Sequence, residues 1–211
     1  MTMTMIHTLR SHWDSLRTNG ELPLRSDIDP RQIPDVLDSL FIFERLNPQD
    51  VRVRIAGLNL CEMMGMEVRG QSPMAFFDES TRRRFAGVVG DVLNRATVAY
   101  LGLDTLDKMG NEARAKMILL PLRSDFGDVN RVIGCVTGPD EGFTAPMQFH
   151  VRTIDMETPN SPEQNVQSFG FAEQGAGFIM DGTSSFRAIS GGGSARAKRP
   201  TQAASYLKLV D

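Results

Sequence analysis

Three charged side chains stand close together near the N-terminus and could do acid–base chemistry. The stretch LPLRSDIDPRQIPDVL places Arg25, Asp27 and Asp29 between two prolines. A catalytic cluster needs a base or nucleophile held in a pocket with an orienting partner. These residues instead precede a helix start, where Asp29 can act as the N-cap and Pro30 can occupy the first turn. The pattern therefore favours a structural joint, in which a cap and an ion pair hold an N-terminal helix against the domain.

Two cysteines and three histidines are the other candidates for catalysis or metal binding. Cys61 and Cys135 lie in apolar surroundings, far apart in sequence, which is typical of buried free thiols rather than a CxxC zinc site. A cysteine-dependent enzyme would pair one of them with His7, His12 or His150, and this is the third of three functional hypotheses. The sequence contains no phosphate-binding glycine loop, HExxH or GxSxG motif. We therefore predict no enzyme, no catalytic residue and no metal site.

The composition is typical of a soluble globular protein. Of the 211 residues, 41% are hydrophobic and 23% are charged, and the formal net charge is −3. Specific nucleic-acid binding usually requires a strongly basic domain, so this charge argues against it. The sequence shows no signal-peptide pattern and no run of about 20 apolar residues that would predict a transmembrane segment. We expect a cytoplasmic protein.

A change of composition near residue 150 divides the chain. Residues 1–39 are expected to form an N-terminal helical extension that packs on the domain, and residues 40–140 to form the domain itself. Residues 141–211 are rich in Gly, Ser, Ala and Pro, so we expect a largely flexible tail. The tail ends in SYLKLVD, a short apolar motif typical of a docking strand or of a frayed end.

Hydrophobic periodicity predicts the elements of the domain. The residues that mark an N-terminal helix are Ile6, Leu9, Trp13 and Leu16. A second amphipathic helix is expected to start at Pro30, with Ile33, Val36, Leu37 and Leu40 on its apolar face. The segments LFIFERL and VRVRIAG, separated by NPQD, predict a hairpin. Short helices follow, then a longer helix over residues 79–96 and the strands VAYLGLDTL, ARAKMILLPLR and RVIGCVTGP. This order predicts an α+β fold: a five-stranded antiparallel sheet with short helices and one longer helix on one face, preceded by N-terminal helices.

This order of elements, with the residues that fill it, resembles the PAS domain. The closest resemblance is to a bacterial single-domain PAS group found largely in alphaproteobacteria. The motifs that carry it are Trp13 with Leu16-Arg17, LPLRSDIDP, VRVRIAGLNL, MGMEVRG, LLPLRSD and VNRVIG. The match covers about residues 6–139 and does not extend to the tail. The residues that we take as its structural signature are Trp13, Arg17, Arg25, Asp27, Arg54 and Gly57.

The resemblance implies a sensor or interaction module whose curved sheet often encloses a ligand. Such a cavity would lie between the inner sheet face and the short helices, although the same residues also suit a plain core. The pocket candidates are Leu60, Met63, Met64, Phe76, Phe77, Met117, Leu119 and Cys135. No cofactor carries over from the group. Flavin light sensors need an Asn-Cys-Arg-Phe motif and haem sensors need an axial histidine in the central helical region, so the sequence argues against both cofactors.

The resemblance also implies partners. Many PAS domains dimerise through an N-terminal helix, so we expect a homodimer through residues 6–18 and a protein partner in a signalling pathway. The leading hypothesis is a cytoplasmic PAS-type regulatory module that acts through protein–protein contacts, with a small ligand as an open question. The alternative is a ligand-free dimeric scaffold whose basic C-terminal tail recruits a partner.

Overall fold

The computed structural model of the chain describes residues 2–139 and 142–159. Within these residues the α-helices are α1 (Thr2–Ser15), α2 (Leu58–Met64) and α3 (Glu79–Arg95). The strands are β1 (Leu40–Asn47), β2 (Asp50–Ala56), β3 (Val98–Leu106), β4 (Glu112–Arg123), β5 (Val129–Thr137) and β6 (Gln148–Glu157). Short 3-10 helices cover Arg25–Asp27, Pro30–Gln32, Pro34–Ser39 and Pro73–Phe76. None of the described helices is long and apolar enough to cross a membrane.

The described strands form one antiparallel sheet with the order β2-β1-β5-β4-β3-β6. The predicted α+β fold is confirmed, as are the β1–β2 hairpin, the three later strands and the longer helix α3. The sheet has six strands where the sequence predicted five. The sixth strand, β6, adds to the edge of β3.

The position of β6 corrects the expected boundary of the tail. We expected residues 141–211 to be largely flexible, and this is wrong for residues 148–157, which pair with β3. Phe149 and Val151 are buried and polar residues alternate with them, the period-two pattern of a strand with one buried face. The average composition of the long segment concealed this short pattern. Residues 160–211, including the apolar C-terminal motif, lie outside the described residues.

Each face of the sheet is covered by its own hydrophobic layer. The inner face packs against α2, α3 and the 3-10 helix Pro73–Phe76. Residues of α3 that enter this inner core are Phe85, Val88, Val89, Val92 and Leu93. The outer face packs against α1 and the 3-10 helices of the N-terminal extension. Because β4 lies in the middle of the sheet, its side chains are buried on both faces.

The second predicted helix of the extension has a tighter geometry than expected. The expected helix starts at Pro30, but the chain forms two separate 3-10 helices, Pro30–Gln32 and Pro34–Ser39. Pro34 has no N–H to donate to the carbonyl of Pro30, so it interrupts an α-helix that starts there. A 3-10 helix has three residues per turn, so Ile33, Val36 and Ser39 align on one side, and all three are buried. Leu37 falls off this side and is 37% exposed. The change in helix type therefore places an apolar side chain at the surface.

The two edge strands of the sheet are both covered by other parts of the chain. Val53 of β2 donates its N–H to the carbonyl of Gln71 at 2.9 Å and accepts from the N–H of Gly70 at 2.7 Å. On the opposite edge, the N–H of Asp78 donates to the carbonyl of Phe149 in β6 at 3.0 Å. These contacts occupy part of each edge strand.

Candidate functional site

Trp13 anchors the N-terminal extension to the sheet. Its side chain is fully buried, and its indole Nε1–H donates to the carbonyl of Pro121 in β4 at 2.9 Å. The guanidinium groups of Arg10 and Arg17 lie 5.5 Å and 5.2 Å from the indole ring centre, within the range of a cation–π contact. Arg17 also donates to the carbonyl of Pro159 at 2.7 Å. These contacts hold the end of α1 against the outer sheet face.

Arg10 joins α1 to β3 and β6. It pairs with Asp14 at 2.6 Å, donates to the hydroxyl of Tyr100 at 2.9 Å, and forms an ion pair with Glu157. Burial is the main cause that raises the pKa of Tyr100, so its hydroxyl stays neutral. Because these three partners all belong to the same chain, the contacts of Arg10 stabilise the fold.

The acidic residues of the opening stretch make local contacts within that stretch. The carboxylate of Asp27 accepts a hydrogen bond from the N–H of Leu24 at 2.8 Å. Asp29 is the N-cap of the 3-10 helix that begins at Pro30, and its carboxylate accepts from the N–H of Arg31 at 3.1 Å. Hydrogen bonds from Arg31 lower the pKa of Asp29, so it remains an ionised cap. Neither carboxylate is arranged as a catalytic acid or base.

Arg25, the third charged residue of this stretch, has a different environment. It is partly buried, and among the described residues it forms no hydrogen bond or ion pair. Its side chain lines two adjoining clefts, of about 370 Å³ and about 250 Å³, which also share Ile42 and Ile55. We call the two clefts together the outer groove. It lies between the N-terminal extension and the outer face of β1, β2 and β5.

One end of the outer groove is charged. The residues that line this end are Arg25, Ser26, Ile42, Glu44, Arg54, Ile55, Asp125 and Arg131. Glu44 forms ion pairs with Arg54 and with Arg131, the latter at 3.1 Å. Burial alone would raise the pKa of Glu44, but the hydrogen bonds from both arginines outweigh it and lower the pKa. Three guanidinium groups thus face two carboxylates, which leaves one positive charge in excess.

The other end of the outer groove is apolar. Its lining residues are Arg25, Ile28, Pro30, Ile33, Leu37, Leu40, Ile42, Ile55, Ala56 and Gly57. Ile33 is fully buried, whereas Ile55 is 38% exposed. Gly57 is required here because a Cβ at this position would clash with the carbonyl oxygens of Leu37 and Asp38. The signature glycine therefore lets the extension approach the start of α2 closely.

A β-bulge shapes the floor of the groove. Val53 pairs with Phe43 and Ile55 pairs with Ile42, so Arg54 is the extra residue between two ladder positions. Strict alternation would place Arg54 and Ile55 on opposite faces of the sheet. The bulge lets both of them line the outer groove. Nothing in the alternating sequence VRVRIAG reveals this extra residue.

The predicted ligand pocket lies on the inner face. Seven of its eight residues come together in the inner core, and their exposure does not exceed 6%: Leu60, Met63, Met64, Phe76, Phe77, Met117 and Leu119. The ring of Phe77 stacks on that of Phe85 with 3.8 Å between centroids. The two clefts described above are both on the outer face. A ligand between these inner side chains stays a prediction.

Cys135 is misplaced in the predicted pocket. It belongs to the outer core with Ile133, because alternation along β5 directs both side chains away from the inner face. Burial raises the pKa of its thiol to about 12. Cys61 is partly exposed, and its sulfur lies 4.0 Å from Glu67. Among the described residues no group of three acidic, histidine or cysteine side chains could hold a metal ion.

The histidines occupy three different settings. His7 is exposed on α1, and His12 is buried on the same helix. Nδ1 of His150 lies 3.1 Å from the carboxylate of Asp78, the N-cap of α3. His150 belongs to β6, within the segment 141–211 that was expected to be a largely flexible tail.

Comparison with known proteins identifies the family. The family model of the PAS domain matches residues 1–137, which include the sheet strands β1 to β5, the inner helices and the N-terminal joint. The chain belongs to the PAS domain family. PAS domains are sensory and interaction domains, so the chain is a sensor-type module in this general sense. A search of curated proteins finds no match.

Several solved structures are similar to this PAS domain. A light-oxygen-voltage domain studied with a flavin analogue shares 17% identity with a TM-score of 0.43, covering 53% of this chain and 84% of that chain. The PAS domain of a protein from Colwellia psychrerythraea shares 12% identity with a TM-score of 0.40, and the match covers 51% of this chain and 95% of that chain. The LOV protein of Rhodobacter sphaeroides shares 14% identity with a TM-score of 0.41, and the match covers 55% of this chain and 70% of that chain.

The six residues that we took from the sequence as a structural signature serve different purposes in the fold. Trp13, Arg17 and Asp27 hold the extension, and Gly57 permits its close approach. Arg25 and Arg54 line the outer groove instead. The sequence argument missed Glu44, Arg131 and Ile55 as groove residues, because they come from separate strands and meet only through the register of β1, β2 and β5.

Proposed function

We propose that this PAS domain is a cytoplasmic regulatory module that acts through protein–protein contact and has no catalytic output. The observation that supports this most directly is the apolar rim of the outer groove. Leu37 and Ile55, which line the apolar cleft, are 37% and 38% exposed, and Leu58, which follows the lining residue Gly57, is 60% exposed. They come from adjoining elements: the 3-10 helix Pro34–Ser39, β2 and the start of α2. Clustered apolar side chains at the surface are typical of an interaction site.

We infer that the partner at this rim is a second copy of the chain. Asp35 and Asp38 are exposed on the helix that carries Leu37, and Arg54 is exposed on the strand that carries Ile55. In a two-fold dimer the same patch meets itself, so acidic groups on one side can face the basic group of the other copy. The mixed charges around an apolar strip suit this arrangement.

The position of α1 changes which part of the N-terminal extension we expect at the dimer interface. The sequence led us to expect a homodimer through residues 6–18. Ile6, Leu9 and Trp13 are buried against the sheet of their own chain, and they are therefore occupied. We propose that the extension contributes Leu37 to the dimer instead of the apolar face of α1.

The geometry of the cysteines supports a domain without catalysis. A thiol acts as a nucleophile only as its thiolate, and the pKa of Cys135 is raised to about 12 by burial. Cys61 is partly exposed, and its sulfur contacts the carboxylate of Glu67. The ligand-free scaffold remains the alternative, and its basic tail lies outside the described residues.

Light scattering coupled to size-exclusion chromatography tests the proposed dimer. We expect the full chain to have the mass of a dimer, and Leu37→Glu or Ile55→Glu to reduce it to that of a monomer. Met109→Glu is the matched control, because Met109 is 73% exposed on the β3–β4 turn, away from the groove. A monomeric wild type, or equal loss of the dimer in the Met109 variant, would refute the proposed contact. Circular dichroism checks that each variant is folded.

A further inference from the structure

Arg25 is the charged residue that the two clefts of the outer groove share. It is a partly buried residue whose side chain lines both clefts, and it has no hydrogen-bond or ion-pair partner among the described residues. Its neighbours in sequence do not neutralise it: Asp27 accepts from Leu24, and Asp29 pairs with Arg31. A partly buried guanidinium favours a charged acceptor, and a carboxylate matches its planar fork.

The other arginines of the groove are already engaged. Arg54 and Arg131 both pair with Glu44, whose lowered pKa keeps it ionised. The two arginines share the single carboxylate of Glu44, so their charges are only partly compensated within the fold. Asp125 also lines the charged cleft, and no ion pair joins it to Arg25. Arg25 is therefore the arginine of this cleft that has no ion pair among the described residues.

The apolar cleft begins directly beside this charge. Its walls are aliphatic: Ile28 and Ile33 come from the extension, and Ile42 and Ile55 come from the sheet. Its volume is about 250 Å³, and the charged cleft adjoins it through residues common to both. A ligand that satisfies both parts needs an aliphatic chain that ends in a single negative charge.

We propose that the outer groove binds an aliphatic carboxylate, with the carboxylate on Arg25 and the chain in the apolar cleft. This site is separate from the predicted inner pocket, which lies on the opposite face of the sheet. Leu37 and Ile55 line the cleft and also form the proposed dimer rim, so a bound chain would change the dimer surface. That regulatory consequence rests on the proposed function, whereas binding itself does not.

Calorimetric titration of the full chain with decanoate, below its micellar concentration, tests the binding. We expect Arg25→Gln to weaken binding about tenfold, since the lost contact is a charge-assisted hydrogen bond in a partly exposed site. Arg31→Gln is the matched control, because Arg31 is 90% exposed and outside the groove. Decyltrimethylammonium, with the same chain and the opposite charge, should bind more weakly than decanoate to the wild type. No decanoate binding, or equal binding by the Arg25 variant, would overturn the proposal.

Methyl NMR distinguishes the two faces of the sheet. With isoleucine and methionine methyl groups labelled, decanoate should shift the signals of Ile28, Ile42 and Ile55. Shifts confined to Met63 and Met117 would place the ligand in the inner core and overturn the proposal. Light scattering of the same samples reports the dimer independently, so failure of the binding site and failure of the dimer are separate results.

Discussion

The two halves of the outer sheet face differ in what covers them. Over the half towards β3, the helix α1 places Ile6, Leu9 and Trp13 in the outer core. Over the half towards β2, Ile42 and Ile55 line an open groove. The difference arises in the extension, which lays an α-helix on one half and only short 3-10 helices beside the other. One half is closed by α1, and the other is covered only in part, which leaves Leu37 and Ile55 exposed.

Two arginines show the same contrast in charge. Arg10 lies in the filled half and contacts Asp14, Tyr100 and Glu157. Arg25 lies in the open half and has no such partner among the described residues. Since both residues are arginines, the difference between their roles comes from the groups that surround each side chain. A charged side chain without a partner inside the fold is the more informative of the two about binding.

The substitution Trp13→Ala should have the largest effect on stability. It removes a fully buried side chain and its hydrogen bond to Pro121, so we expect a loss of about 3–5 kcal/mol in the free energy of unfolding. Urea denaturation followed by circular dichroism measures this. Phe126→Ala is the aromatic control, because Phe126 is 95% exposed, and it should change stability by less than about 0.5 kcal/mol. Equal losses in both variants would mean that the filled half does not anchor the extension.

The fold was largely predictable because its signals are periodic. The apolar stripe of α3 and the alternation in β1 to β5 identified these elements, and the helical spacing of Ile6, Leu9 and Trp13 identified α1. Prediction failed where a local pattern was averaged over a long segment, as for β6, and where Pro34 interrupts the helix expected to start at Pro30.

The candidate groove was much less predictable than the fold. Arg25 and Arg54 were identified only as part of a family signature, and their shared cleft depends on a bulge that sequence alternation does not reveal. Cys135 was assigned to the wrong face because a run of apolar residues in β5 is buried on both sides. Alternation separates the two faces only when one of them is polar.

A paired substitution sharpens the contrast between the two arginines. Arg10→Gln removes two ion pairs and a hydrogen bond to Tyr100, and we expect a loss of about 1 kcal/mol, because the acidic partners are partly exposed. Arg25→Gln removes no contact within the described fold, so its stability should stay within about 0.5 kcal/mol of the wild type. Urea denaturation of both variants in parallel measures the two changes in the free energy of unfolding. If Arg25→Gln destabilised the chain more, Arg25 would be a structural residue and the open half would lose its distinct role.

The smallest expected effect is the pH dependence contributed by His12 in the filled half. His12 is buried, its Nε2 has no hydrogen-bond partner among the described residues, and burial lowers its pKa despite the opposing charge of Asp29. Since the unfolded chain titrates near the ordinary value of 6.5, it binds more protons than the folded chain below that pH. The free energy of unfolding should therefore fall as the pH falls below about 6.5 and be retained above it.

Denaturation of His12→Gln between about pH 7.5 and about pH 5.5 tests this dependence, because the window brackets the ordinary pKa of histidine. The variant should lose part of the pH dependence, whereas His7→Gln should keep all of it, since His7 is exposed on the same helix. An unchanged slope in the His12 variant would mean that water reaches its ring in the folded state. The filled half would then be less tightly closed than the burial of Leu9 and Trp13 indicates, and its contrast with the open half would be weaker.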